Sequence, residues 1–139
     1  MNLDDTVSGA QVERLRFIKH KGKFILMIDL SHCSGKEMLL LIEQIRVTVA
    51  RHEPGSMLTL SDFTEADIDK KVATRMKEVL TLNRPYVKRS ACVGADSVPH
   101  VFYENIKSFS QREFPTFKTR AEAMDWLASE PSGESNSGG

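Results

Sequence analysis

Phe24-Ile25-Leu26-Met27-Ile28 is an unbroken apolar run of five residues, and its reading decides the fold. A strand with one wet face would alternate apolar and polar side chains, whereas an unbroken run of this length fits a strand covered on both faces. Helices are therefore expected on both sides of a sheet, with this segment at or near its centre. Immediately upstream, Glu13 to His20 has strand character, and Lys21-Gly22-Lys23 is a short loop whose glycine can supply a positive φ angle. The first two strands should thus pair antiparallel.

Downstream the pattern changes to helical spacing. Ser34 is a suitable cap for a helix reaching about His52, where Pro54-Gly55 stops it, and Met38, Leu41, Ile42, Ile45 and Val49 form its apolar stripe. Met57 to Leu60 is a short strand. A second helix is expected from Glu65 to Leu82, with Ile68, Val72, Met76, Val79 and Leu80 on one face. Tyr86 to Val93 is the next strand, ending at Gly94. Asp96 or Ser97 with Pro99 opens a third helix, its stripe formed by Val98, Val101, Phe102, Ile106 and Phe109. Glu113 to Phe117 reads as an edge strand interrupted by Pro115, and Thr119-Arg120-Ala121-Glu122 is a capping-box pattern opening a helix to Ala128. The fold class is α/β, with a single mixed, mostly parallel sheet, an N-terminal antiparallel hairpin and about four helices. One domain is expected over residues 11–128, between a flexible N-terminus (1–10) and a Ser-, Gly- and Glu-rich disordered tail (129–139).

Composition narrows the function classes. Nineteen Lys plus Arg balance nineteen Asp plus Glu, so no overall positive field attracts phosphate backbones, and nucleic acid is not an expected partner. The apolar runs fall far short of the ~20 residues of a membrane-spanning helix. The polar, acidic start does not read as a secretory signal, and a cytoplasmic location is expected. Cys33 and Cys92 are too few for a disulfide framework and read as reduced thiols.

Motifs for established chemistries are missing. Ser34-Gly35-Lys36 has Leu30 where a phosphate-binding loop needs its first glycine and Glu37 where it needs Ser or Thr, so it reads as a helix cap. Gly94 is the only glycine of its strand-helix junction, which excludes the dinucleotide fingerprint. His32-Cys33 near a helix start could in principle hold an activated thiol, yet no neighbouring base or resolving thiol accompanies it. The four histidines lack ligand spacing, so neither a metal nor a cofactor is expected. What remains is an edge. Asp29, Ser31, Asp62, Phe63, Thr64, Gly94 and Asp96 all fall at or just after the C-terminal ends of strands, where open α/β sheets bind ligands. Leu39, Leu40, Val47 and Ala50 give the first helix a second apolar patch, for which burial under neighbours is the expected state. If exposed instead, Leu40 and Val47 would mark a partner or homodimer surface.

The order of these elements, carried by Phe24-Ile25-Leu26-Met27-Ile28-Asp29-Leu30-Ser31, Leu58-Thr59-Leu60-Ser61-Asp62-Phe63-Thr64, Val87 to Gly94 and Phe117 to Leu127, resembles the STAS-type domains. Within them it is similar to the bacterial SpoIIAA-like group, related in fold to anti-sigma-factor antagonists and to CRAL-TRIO lipid-binding domains. The resemblance implies a non-catalytic regulatory or protein-interaction domain. Through the CRAL-TRIO relation it also implies an alternative, binding of a lipid or other apolar small molecule. In the antagonists a Ser or Thr after the third strand is phosphorylated, which makes Thr64, following Asp62, the candidate phosphoacceptor. Here Phe63 replaces one hydroxyl of that pattern, and Glu65-Ala66-Asp67 replaces its glycine-rich turn.

Overall fold

A computed structural model describes residues 14–129, so the expectations for residues 1–10 and for the tail beyond Ser129 lie outside the described residues. Strands β1 (Leu15–His20) and β2 (Lys23–Asp29) form the antiparallel hairpin, with His20 opposite Lys23. Lys21 and Gly22, both at positive φ (50° and 81°), make its two-residue turn, a geometry whose twist matches that of the strands. There follow α1 (Gly35–Ala50), β3 (Met57–Asp62), α2 (Lys70–Asn83), β4 (Val87–Val93), a short 3-10 turn (Ala95–Ser97), α3 (His100–Ser110), β5 (Thr116–Phe117) and α4 (Arg120–Ala128).

The five strands lie in sequence order, β1-β2-β3-β4-β5, and every pair after the hairpin is parallel. Because each crossover steps the same way and is right-handed, α1, α2 and α3 must share one face. The last helix, α4, returns across the other. The side chains of β2 show this division directly: Leu26 and Ile28 enter the core with α1 to α3, while Ile25 and Met27 enter the core with Ala123 and Leu127 of α4. Ile25, Leu26 and Met27 are at most 1% exposed, each worth about 1.5–3 kcal/mol of burial. Phe24 is 62% exposed, because it sits at the strand's open end beyond the helices that cover the rest.

Most sequence expectations match these elements, and several differ. Asp96 and Ser97 do not open α3 but lie in the 3-10 turn before it, and Pro99 takes the cap position without a side-chain bond. The second helix starts at Lys70 and not at Glu65, because Glu65 takes a left-handed φ of 54° and Asp69 caps the helix by accepting from the Val72 amide at 2.8 Å. Val101 is 66% exposed, leaving Val98, Phe102 and Ile106 as the buried stripe of that region. Regular pairing in β5 is confined to Thr116 and Phe117, since Phe114 is left-handed and Pro115 has no N–H to give; the Pro115 carbonyl still accepts from the Cys92 amide at 2.9 Å. Finally, Leu40 and Val47 are 55% and 40% exposed, so they face solvent instead of being buried, while Leu39 of the same patch is half-buried against the core.

Candidate functional site

The C-terminal ends of β2 and β3 carry the same local device. In Asp29-Leu30-Ser31, Asp29 Oδ1 accepts from the Ser31 amide at 3.0 Å and from its hydroxyl at 2.5 Å. In Asp62-Phe63-Thr64, Asp62 Oδ1 accepts from the Thr64 amide at 2.9 Å and its hydroxyl at 2.7 Å. Each carboxylate turns its own chain out of the strand, as short acidic side chains do two residues ahead of themselves. The two loops then run side by side, with the His32 amide donating to the Thr64 carbonyl at 2.8 Å.

Asp29 and Asp62 are also register partners, and like charges so placed repel. Arg120, the first residue of α4, resolves this on the face of the sheet that α4 covers, toward which Asp29 and Asp62 point with Met27 and Leu60. Its Nε donates to Asp62 Oδ2 at 2.8 Å, and its Nη2 lies 2.8 Å from Asp62 Oδ2 and 3.1 Å from Asp29 Oδ1. Arg14 adds a second cation, donating to the Asp29 and Ser31 carbonyls. Burial would raise the Asp29 carboxyl, but the Ser31 hydroxyl and amide, with Arg120 and Arg14, hold it below the usual carboxylate range. Neither arginine was a sequence-level candidate. A capping box announces where α4 starts but does not say what the residue beside the cap can reach.

Beside Thr64, the end of β4 comes into close contact. Gly94 has φ +80°, and a Cβ on it would lie 2.5 Å from the Thr64 nitrogen, so only glycine fits there. From this junction an open groove of about 940 Å³ runs between the 3-10 turn, α3 and β5, lined among others by Thr64, Asp96, His100, Tyr103 and Lys118. Asp96, His100 and Lys118 are exposed. The candidate edge residues therefore divide: Thr64, Gly94 and Asp96 line the groove, Asp29, Ser31 and Asp62 form the bonded frame beside it, and Phe63 belongs to the core. Phe63 is 2% exposed and meets Phe102 edge-on at 5.6 Å, because the tight Asp62 turn directs it inward.

The His32-Cys33 reading finds no support in this geometry. Cys33 is 1% exposed, and burial pushes its thiol up, the opposite of what an attacking thiolate requires. Cys92 is also buried and free, pushed up to about 11. No helix among the described residues is long and apolar enough to cross a membrane.

No family model matches the chain, and no curated protein matches it. Among solved structures, one of an anti-sigma-factor antagonist (STAS) domain protein from Planctomyces limnophilus is similar at a TM-score of 0.52 and 12% identity, the match covering 83% of this chain and 98% of that one. With its antiparallel hairpin, parallel β2 to β5 and helices on both faces, the chain has a STAS-type fold.

Proposed function

We propose that the chain is a non-catalytic regulatory domain that docks a protein partner on the groove beside Thr64 and Gly94. The observation that carries this reading is the state of the two carboxylates. Asp29 and Asp62 are bonded to Arg120 and to their own loops, so they build a rigid rim and do not stand free to move protons. Next to that rim lies an open groove with exposed charges of both signs, the kind of polar, accessible surface on which transient protein contacts form. The solved STAS domain protein with the similar fold is described as an anti-sigma-factor antagonist, which adds weight to a protein partner for this chain as well.

Thr64 is the point at which such docking would be switched. Its hydroxyl donates to Asp62, so a phosphate there would remove that bond and set two negative groups against each other, with Arg120 already engaged on the far side. Affinity capture with the full chain, repeated with the double variant Asp96→Lys, Lys118→Glu and with Leu40→Lys, Val47→Lys, tests the reading. A partner lost with the groove variant and kept with the α1 variant supports it. A partner that ignores the groove variant overturns it.

A further inference from the structure

On the face covered by α1 to α3, a cavity of about 40 Å³ lies between the sheet and the helices, with Ile42, Ile45, Leu80, Ser61, Asn83 and Arg112 among its lining. Its walls are mostly aliphatic, which makes the polar members conspicuous. Ser61 and Asn83 are 6% and 7% exposed. Neither side chain has a hydrogen-bond partner among the described residues, no described side-chain N or O is walled off entirely without one, and both residues line the cavity. Polar groups so placed can bind a small occupant of the cavity.

Arg112 points to the sign of that occupant. Its Nε donates to the Ser90 hydroxyl at 3.1 Å, itself 2.8 Å from Thr59 Oγ1, and its Nη1 donates to the Ser110 carbonyl at 3.4 Å. No carboxylate among the described residues pairs with it. Burial, with Arg84 nearby, pulls its guanidinium down to about 10. Half-buried, with neutral acceptors and the Phe114 ring 5.9 Å away as its partners, the guanidinium keeps the capacity to bind an anion. The segment holding it is fixed at both ends: Gln111 and Phe114 are left-handed, and the Tyr103 hydroxyl donates to the Phe114 carbonyl at 2.8 Å.

Size and wall chemistry select among anions. One water needs about 10–15 Å³ of such space, so the cavity holds roughly three such bodies, far below the ~300 Å³ of a pocket for a drug-sized ligand. A lipid does not fit, and phosphate would meet aliphatic walls with most of its oxygens unpaired. We infer that the cavity is a binding site for a short aliphatic carboxylate, its oxygens on Arg112 with Ser61 and Asn83, and its one to three carbons against Ile42, Ile45 and Leu80. This site is separate from the groove, and either reading stands without the other.

Thermal denaturation of the full chain with a series of sodium salts, from formate through acetate, propionate and butyrate to octanoate, with chloride and inorganic phosphate as controls, tests it. Acetate to butyrate should raise Tm saturably, by about 5 °C at tenfold excess over Kd, while octanoate and both controls do not. Arg112→Met should weaken the effect at least tenfold. If that variant fails to fold, Asn83→Leu and amide NMR shifts of the wild type, concentrated on residues around 59–61, 83 and 112, serve instead. A cavity filled by water alone would show no saturable response to any acid. That result, equal stabilisation by phosphate, or shifts confined to the surface would overturn the proposal.

Discussion

Arg120 occupies a helix position that disfavours cations, since the first turn carries the positive end of the helix dipole. It is stable there because two carboxylates lie within 3.1 Å of its guanidinium. Arg120→Met should therefore cost about 1–2 kcal/mol by urea denaturation at neutral pH, less than the ~3–5 of a fully buried pair because Arg120 is a third exposed. The sign with pH follows from Asp29, whose folded carboxyl lies below its ordinary value of 3.8. Its stabilisation is present above that value and is lost as pH falls through the folded pKa. The gap between wild type and Arg120→Met should accordingly be smaller at pH 3 than at pH 7; an equal gap at both would contradict the pairing. At Thr64, valine should cost about 1 kcal/mol for the lost hydroxyl bond, and glutamate more than valine because it adds charge against Asp62. Gly94→Ala, forced to a left-handed φ with its Cβ against the Thr64 backbone, should cost more than about 2 kcal/mol in the same measurement.

The helix starts show how local side-chain chemistry decides element boundaries. Ser34 and Thr119, both legible caps, accept from the Glu37 and Glu122 amides at 3.2 Å and 3.1 Å. For α2 the competing signals were ambiguous: Asp62-Phe63-Thr64 resembles a helix start, but Asp62 is used to turn the chain and Asp69 does the capping. Asp69→Ala should then lose about 1 kcal/mol while Glu65→Ala stays within a few tenths, as read by chemical denaturation. The reverse order would restore a helix beginning at Glu65. The strands were readable because burial on both faces writes an unbroken apolar run, as in Ile25 to Ile28. The exposure of Leu40 and Val47 was not, since an extra apolar stripe looks the same in sequence whether a neighbour covers it or not.

For the whole molecule, sheet order follows from short one-way crossovers, and so the edge where the loops of β2, β3 and β4 gather could be anticipated from residue order alone. What could not be anticipated is contact between residues far apart in sequence. Arg120 lies 58 residues from Asp62, and Arg112 reaches the interior Ser90 from a loop with no distinguishing motif; both depend on how α4 and the loop before β5 close the structure. The same closure assembles the groove from Thr64, the Gly94 turn, α3 and Lys118. Hydrogen exchange of the full chain, alone and with its captured protein partner, tests the docking reading most directly. Slowed exchange at Thr64, Gly94 to Ser97 and Phe117-Lys118, with α1 unchanged, is the predicted result; protection centred on Leu40 to Val47 with the groove unaffected would contradict it.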